Sequence, residues 1–189
     1  IIPCISKVGP ESYQKQILKM TDENRLYEKV KNYLKKSNWT ILGGQPARGT
    51  NHLPVIEIKS YAHTAKGSKG SKKIDLVAFK DPFFLICEAK GSYSQSDISK
   101  INELTGSHDQ RLAFINALLE KRVLKSNNIV IEDAKYTMSD TFLIKGVGYN
   151  ILTSSAPEDF VTFVLQEDVA KPFFGRKISD EVKYLFTHS

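Results

Sequence analysis

The most continuous apolar pattern in the chain is a pair of β-prone runs, Leu76-Val77-Ala78-Phe79 and Phe83-Phe84-Leu85-Ile86-Cys87, separated by Lys80-Asp81-Pro82. Two such runs around a proline-containing break predict a hairpin that is buried on both faces. A loop centred on Asp81-Pro82 sets Asp75 opposite Glu88 and Lys73 opposite Lys90. Directly opposed residues share a face of the sheet, as do residues two apart on one strand. Asp75, Glu88 and Lys90 are therefore expected together at one end of an otherwise apolar hairpin.

Elsewhere the periodicity alternates between helix and strand. Residues 1–20 read as a basic lead-in with a short helix near 13–20. Thr21 or Asp22 caps a helix running to Lys36, with Leu26, Tyr27, Val30, Tyr33 and Leu34 as its apolar stripe. Strands are predicted over 39–42, stopped by Gly43-Gly44, and over 54–61. After the hairpin, Ser96 or Asp97 caps a helix through Leu104 that breaks near Gly106. A longer helix over 107–121 has Leu112, Ile115, Leu118 and Leu119 on its buried face. Residues 128–132 and 141–149 read as strands, and 160–165 as strand or helix. Residues 171–177 form a basic loop in which Phe173-Phe174 either touches a partner or pins the chain end to the core. A closing helix over 178–186 completes the chain.

With 189 residues, 41% hydrophobic and 25% charged, the chain fits one globular domain with a sizeable core. Its parts are a peripheral 1–20, a core over about 22–150 and a C-terminal extension over 151–189. No apolar run approaches the roughly 20 residues that span a bilayer, and no signal peptide is visible, so no membrane is expected. The chain opens Ile1-Ile2-Pro3 without methionine, the pattern of a processed product or of a piece of a longer protein. Cys4 and Cys87 lack metal-ligand spacing, and a reducing, intracellular, cytoplasmic setting is the expectation. The net charge of +6 and pI near 9.2 suit a polyanionic partner.

Opposed carboxylates repel, and between apolar faces the repulsion is weakly screened. A divalent cation between Asp75 and Glu88 removes the conflict. Mg²⁺, with Mn²⁺ as a substitute, takes one or two carboxylates plus water and phosphate. An adjacent Lys90 then orients or activates water, or neutralises charge on a phosphate, which points to metal-assisted phosphodiester hydrolysis. The plainer alternative is an ion-paired hairpin end. A second acid-x-Lys, Glu57-Ile58-Lys59, has no aspartate upstream of it after Asp22 and is read as facing solvent.

At these residues the sequence resembles the PD-(D/E)xK, or restriction-endonuclease-like, nuclease superfamily. Its hallmark is an acid on one strand and acid-x-Lys on the next, in a sheet flanked by helices. Asp75 and Glu88-Ala89-Lys90 match it, with Ile74 in place of the frequent proline. The stretch 74–91 is most similar to archaeal Holliday-junction resolvases and related restriction-enzyme cleavage domains. The resemblance implies an α/β fold with a central mixed sheet between helices. It also implies a Mg²⁺-dependent endonuclease acting on double-stranded DNA, as a homodimer or within a larger multidomain protein. Asp75, Glu88 and the Ala89 carbonyl would hold metal, and Lys90 would assist the attacking water. Resolvase-like nucleases carry a further glutamate on the first helix. Glu23 matches it by facing, and Glu28 by its distance from Trp39. The segment 43–71 and the long C-terminal third exceed a minimal resolvase, favouring a restriction-type enzyme over a junction resolvase. A non-catalytic nucleic-acid-binding module is the remaining class.

The Gly/Ser/Lys-rich segment 65–73 feeds directly into the acidic strand. Lys66, Lys69, Lys72 and Lys73 there are candidate phosphate-backbone contacts, or else the charges of an ordinary solvated loop.

Overall fold

The computed structural model describes residues 10–45, 52–59, 71–151 and 156–187, with side chains of the first helix from Asp22 onward. In chain order the elements are α1 (Pro10–Lys36), β1 (Thr40–Gly44), β2 (Glu57–Ile58), β3 (Lys72–Lys73), β4 (Leu76–Lys80) and β5 (Phe83–Ala89). Next come α2 (Gln95–Gly106), α3 (His108–Glu120), α4 (Val123–Ser126) and α5 (Asp133–Met138). The chain closes with β6 (Leu143–Tyr149), β7 (Phe160–Gln166), β8 (Val169–Phe174) and α6 (Asp180–Thr187). Among the described residues, a mixed six-stranded sheet runs β1-β4-β5-β6-β7-β8, and β2 and β3 form a separate short ladder. The fold is α/β, with helices on both faces of the sheet.

The predicted hairpin is its centre. β4 and β5 pair antiparallel from Leu76↔Cys87 to Lys80↔Phe83, the register expected from a turn at Asp81-Pro82. The Asp81–Pro82 peptide is cis, the isomer a proline adopts at the third position of a type VI turn. Alternation sorts the hairpin side chains between two apolar clusters. Leu76, Ala78, Phe83, Leu85, Cys87 and Ala89 pack with α1 and α6. Val77, Phe79, Phe84 and Ile86 pack with α2, α3, α4 and α5. A strand covered on both sides must be apolar at every position, and all of β5 is buried. At the turn, Lys80 Nζ donates to the Ser37 and Leu185 carbonyls, tying the hairpin tip to the C-terminal ends of α1 and α6.

From β5 the chain crosses through α2 to α5 and returns as β6, parallel to β5. Beside β6, Gly148 lies under α1, where an added Cβ would meet Leu26 at 3.5 Å, an ordinary van der Waals contact. β7 continues in parallel, and β8 folds back through Glu167-Asp168, both at positive φ as a two-residue type I′ turn requires. Asp168 there accepts from Arg25 at 2.8 Å and also pairs with Lys29, fastening the turn to α1.

Several expectations need correction. The lead-in helix and the helix capped at Thr21 or Asp22 are one continuous α1. The cap of α2 is Ser94, whose hydroxyl accepts the Asp97 N–H, and not Ser96 or Asp97. Phe114 and Ala117 fill the buried face of α3, while Leu119 is turned outward. Residues 128–132 form no strand: β6 already occupies the free edge of β5, Asn128 has φ 56°, and Val130 is 95% exposed. Of the strand expected over 54–61, residues 60 and 61 lie outside the described residues and 54–59 hold only β2, where Lys73 pairs with Glu57, leaving Lys90 without the expected partner. Glu57 and Lys59 are half-buried and do not face open solvent: Glu57 accepts from Ser71 Oγ at 2.7 Å, and Lys59 lies 3.8 Å from Glu120. The basic loop 171–177 begins as β8, where Phe174 packs on Phe186 and pins the chain end. The segment 151–189 thus supplies three elements of the same sheet and core.

Arg111 joins the crossover helices. It is 8% exposed and donates to the Thr105 carbonyl at the end of α2 (2.8 Å) and the Thr137 carbonyl at the end of α5 (2.9 Å). Arg111→Met keeps the bulk but strips both buried acceptors of their donor. A loss of about 2–3 kcal/mol is expected, read as a lower urea midpoint at unchanged m-value. A loss under about 0.5 kcal/mol would show that these bonds do not hold the helices.

Candidate active site

The site forms where the hairpin ladder stops. Beyond Leu76↔Cys87 the backbone bends at Asp75, held by Gln45 N–H on its carbonyl (2.9 Å) and by Ile74 N–H on the Ile56 carbonyl (3.1 Å). The two acids replace the missing ladder bonds with their side chains. Asp75 Oδ2 accepts the Ala89 N–H at 3.0 Å, and Glu88 Oε1 accepts the Asp75 N–H at 3.3 Å. Lys90 is set by its N–H to the Gly148 carbonyl (3.0 Å), and its Nζ stands 3.8 Å from Asp75 Oδ2. The structure thus brings Asp75, Glu88 and Lys90 together, as alternation predicts.

Glu23 joins them and Glu28 does not. Glu23 is half-buried, its Cγ 3.9 Å from where a Cβ on Gly91 would stand, and its charge acts on Lys90. Glu28 is exposed and pairs with Lys31 at 2.7 Å. Of the candidate phosphate lysines, Lys66 and Lys69 lie outside the described residues. Lys72 pairs with Glu103, while Lys73 is exposed.

Two residues of α2 complete the cluster and escaped the sequence reading. Lys100 Nζ donates to Glu88 Oε1 at 2.8 Å and to the Lys73 carbonyl. Asp97 is nine-tenths buried, its Oδ2 without a hydrogen-bond partner, and its charge acts on both Asp75 and Lys90. Asp97, Lys100 and the buried Ile101 recur at i, i+3, i+4, so the sheet-facing side of α2 carries both charges. That spacing was readable, but only with α2 known to lie over the end of β5.

Burial, reinforced by the Asp75 charge, pushes the Glu88 carboxyl up to about 7 against the pull of Lys100. Burial also raises Asp75, opposed chiefly by Lys90. For Lys90, burial alone would lower the ammonium, but Asp75, Asp97, Glu23 and Glu88 more than offset it and the net shift is upward. The site therefore combines a firmly protonated lysine with carboxylates whose ionisation is costly.

The donor set suits a hard divalent cation. Asp75 and Glu88 offer oxygens, and Ala89 offers a third. In extended backbone a residue's N–H and C=O point to the same side, so the Ala89 carbonyl faces Asp75 as its N–H does. Among the described residues no group of three His, Cys, Asp or Glu side chains could hold a metal ion, so a cation here would have two carboxylates at most and would need carbonyl, water and ligand oxygens besides. Among the described residues, no helix is long and apolar enough to cross a membrane. Comparison with protein-family models, curated proteins and solved structures found no match for this chain.

The raised carboxyl makes metal-free stability depend on pH. The native state holds a proton on Glu88 that the unfolded chain releases near its ordinary value of 4.5. This contribution is fully present below about 4.5 and is lost as pH rises through about 7. Glu88→Gln, which keeps the acceptor oxygen, should match wild type at pH 4.5 and melt higher at pH 8, by on the order of 2 kcal/mol. Melting curves without divalent ions test this; a variant less stable than wild type at pH 8 would contradict it.

Proposed function

We propose that this chain is a Mg²⁺-dependent endonuclease that hydrolyses DNA phosphodiester bonds, with a restriction-endonuclease-like arrangement of its sheet and helices. The observation that carries the reading is the joining of Asp75 and Glu88 through each other's strand backbone, with Lys90 3.8 Å from Asp75. An acid followed by acid-x-Lys on adjacent strands is the hallmark of the superfamily the sequence resembles. Asp75, Glu88 and the Ala89 carbonyl would hold the cation. When bound, Mg²⁺ lowers the pKa of a bound water and neutralises charge on the phosphate.

The chain's own residues do the rest. Lys90, kept protonated by the surrounding carboxylates, serves as a cation: it donates to the attacking water or to a phosphoryl oxygen and does not abstract a proton. Water attacks phosphorus and releases its proton to solvent, the bond to a sugar oxygen breaks, and that oxygen leaves with a proton drawn from solvent. Glu23, from α1, faces Lys90 and steadies its charge. β7 and β8 extend the sheet past β6 and α6 packs on it, more than a minimal junction resolvase needs, which supports cleavage of linear duplex.

Digestion of linear duplex, four-way junction, single-stranded DNA and RNA with and without Mg²⁺ tests the reading. Asp75→Asn, Glu88→Gln and Lys90→Ala should each abolish Mg²⁺-dependent cutting of duplex, by 10²-fold or more on the scale of lost transition-state electrostatics. Lys90→Ala should keep most of the DNA affinity, which is spread over many phosphates. Glu88→Gln cutting at the wild-type rate would sink the assignment.

The lysine-rich approach has its own measurement. Replacing Lys66, Lys69, Lys72 and Lys73 together with alanine should weaken DNA binding and reduce its salt slope by about one for each phosphate no longer neutralised. An unchanged slope returns these lysines to the solvated surface.

A further inference from the structure

Lys100 reaches the acid pair from outside the hairpin. Its ammonium lies on Glu88 Oε1 at 2.8 Å, and the same oxygen accepts the Asp75 N–H at 3.3 Å. Glu88 is 2% exposed, and in the cation-free protein this ammonium is the charge bonded to its carboxylate. A divalent cation on that carboxylate and an ammonium bonded to it would be like charges a few ångströms apart, with little water to screen them. The two compete for one group. Lys90 is placed differently: with Asp75 taken, Asp97 and Glu23 remain beside it.

What Lys100 can do once displaced follows from its position. The side chain is 22% exposed and its second acceptor is the Lys73 carbonyl, next to the exposed Lys73 side chain. A lysine stem is flexible and its ammonium has three donors, so it can turn outward without moving α2. We propose that Lys100 is the exchangeable counter-ion of the site: it holds Glu88 when no cation is bound, yields the carboxylate to the cation, and then binds a phosphate oxygen of the substrate. Cation and substrate binding are thereby coupled, because each gives the displaced charge somewhere to go. The inference rests on the nuclease reading above.

Calorimetric titration with Mg²⁺ alone at pH 8.5 tests the competition, in wild type, Lys100→Met, Lys100→Arg and Asp75→Asn. Lys100→Met should bind Mg²⁺ about tenfold more tightly, since a charge-assisted hydrogen bond no longer has to be broken. Lys100→Arg, which keeps the charge, should stay near wild type. In Ca²⁺, binding of a short DNA duplex to Lys100→Met should be weaker, with a salt slope reduced by about one. Unchanged or weaker Mg²⁺ affinity in Lys100→Met, beside wild-type binding that Asp75→Asn abolishes, overturns the counter-ion role and leaves the nuclease reading standing. An unchanged salt slope overturns the phosphate step. Absence of any Asp75-dependent Mg²⁺ binding in wild type overturns the nuclease reading itself, and the exchange with it.

Discussion

Two carboxylates remain inside this sheet because each takes a hydrogen bond from the other's strand. Asp75 is held by Ala89 N–H and Glu88 by Asp75 N–H, where regular pairing would have used backbone oxygens. A buried charge without such donors would be neutralised or expelled. The rest of the architecture serves that exchange. β4 and β5 are covered on both faces, so the ladder runs without a slip to its last pair, Leu76↔Cys87. α2 crosses the strand ends with an ammonium for Glu88, and α1 arrives over glycine with a carboxylate for Lys90. Asp75 and Glu88 are satisfied in geometry, but the carboxylates crowded around them, with Asp97 Oδ2 left without a hydrogen-bond partner, keep the cluster frustrated in charge.

The hairpin was legible because period-two alternation, an apolar run and a proline break all require the same register. Asp75, Glu88 and Lys90 follow from it with no knowledge of the rest. Glu23 was legible by its helix face, given that the stripe from Leu26 to Leu34 packs on the sheet. Lys100 and Asp97 were not, because their place depends on where α2 crosses β5, a tertiary fact that no local pattern encodes. Ser94 shows the same limit at shorter range: Ser94, Ser96 and Asp97 can each cap a helix, and packing of Ile98 and Ile101 selects the first turn.

The errors in the last third have a different origin. Ile129-Val130-Ile131 is as β-prone as any run in the chain, yet a strand needs a free edge, and β6 had taken it. The isoleucines settle against the helical cluster while Val130 faces outward. Conversely, residues 171–174 read as a basic loop but found the open edge of β7. Their alternation is weak because an edge strand with one solvated side tolerates Lys171 and Pro172. Propensity proposes strands, and vacancies in the sheet dispose of them.

Apart from Glu23, every charged group of the site lies between Asp75 and Lys100, on one hairpin and the helix that follows. Such a constellation closes short loops only, so little chain entropy opposes its assembly and it can form early. Chemistry written in one contiguous stretch is also portable. The connections on either side, and the strands added beyond β6, can be lengthened, traded or remodelled while these charged groups travel together. The charged cluster is in that sense a cassette, and the surrounding fold its interchangeable housing.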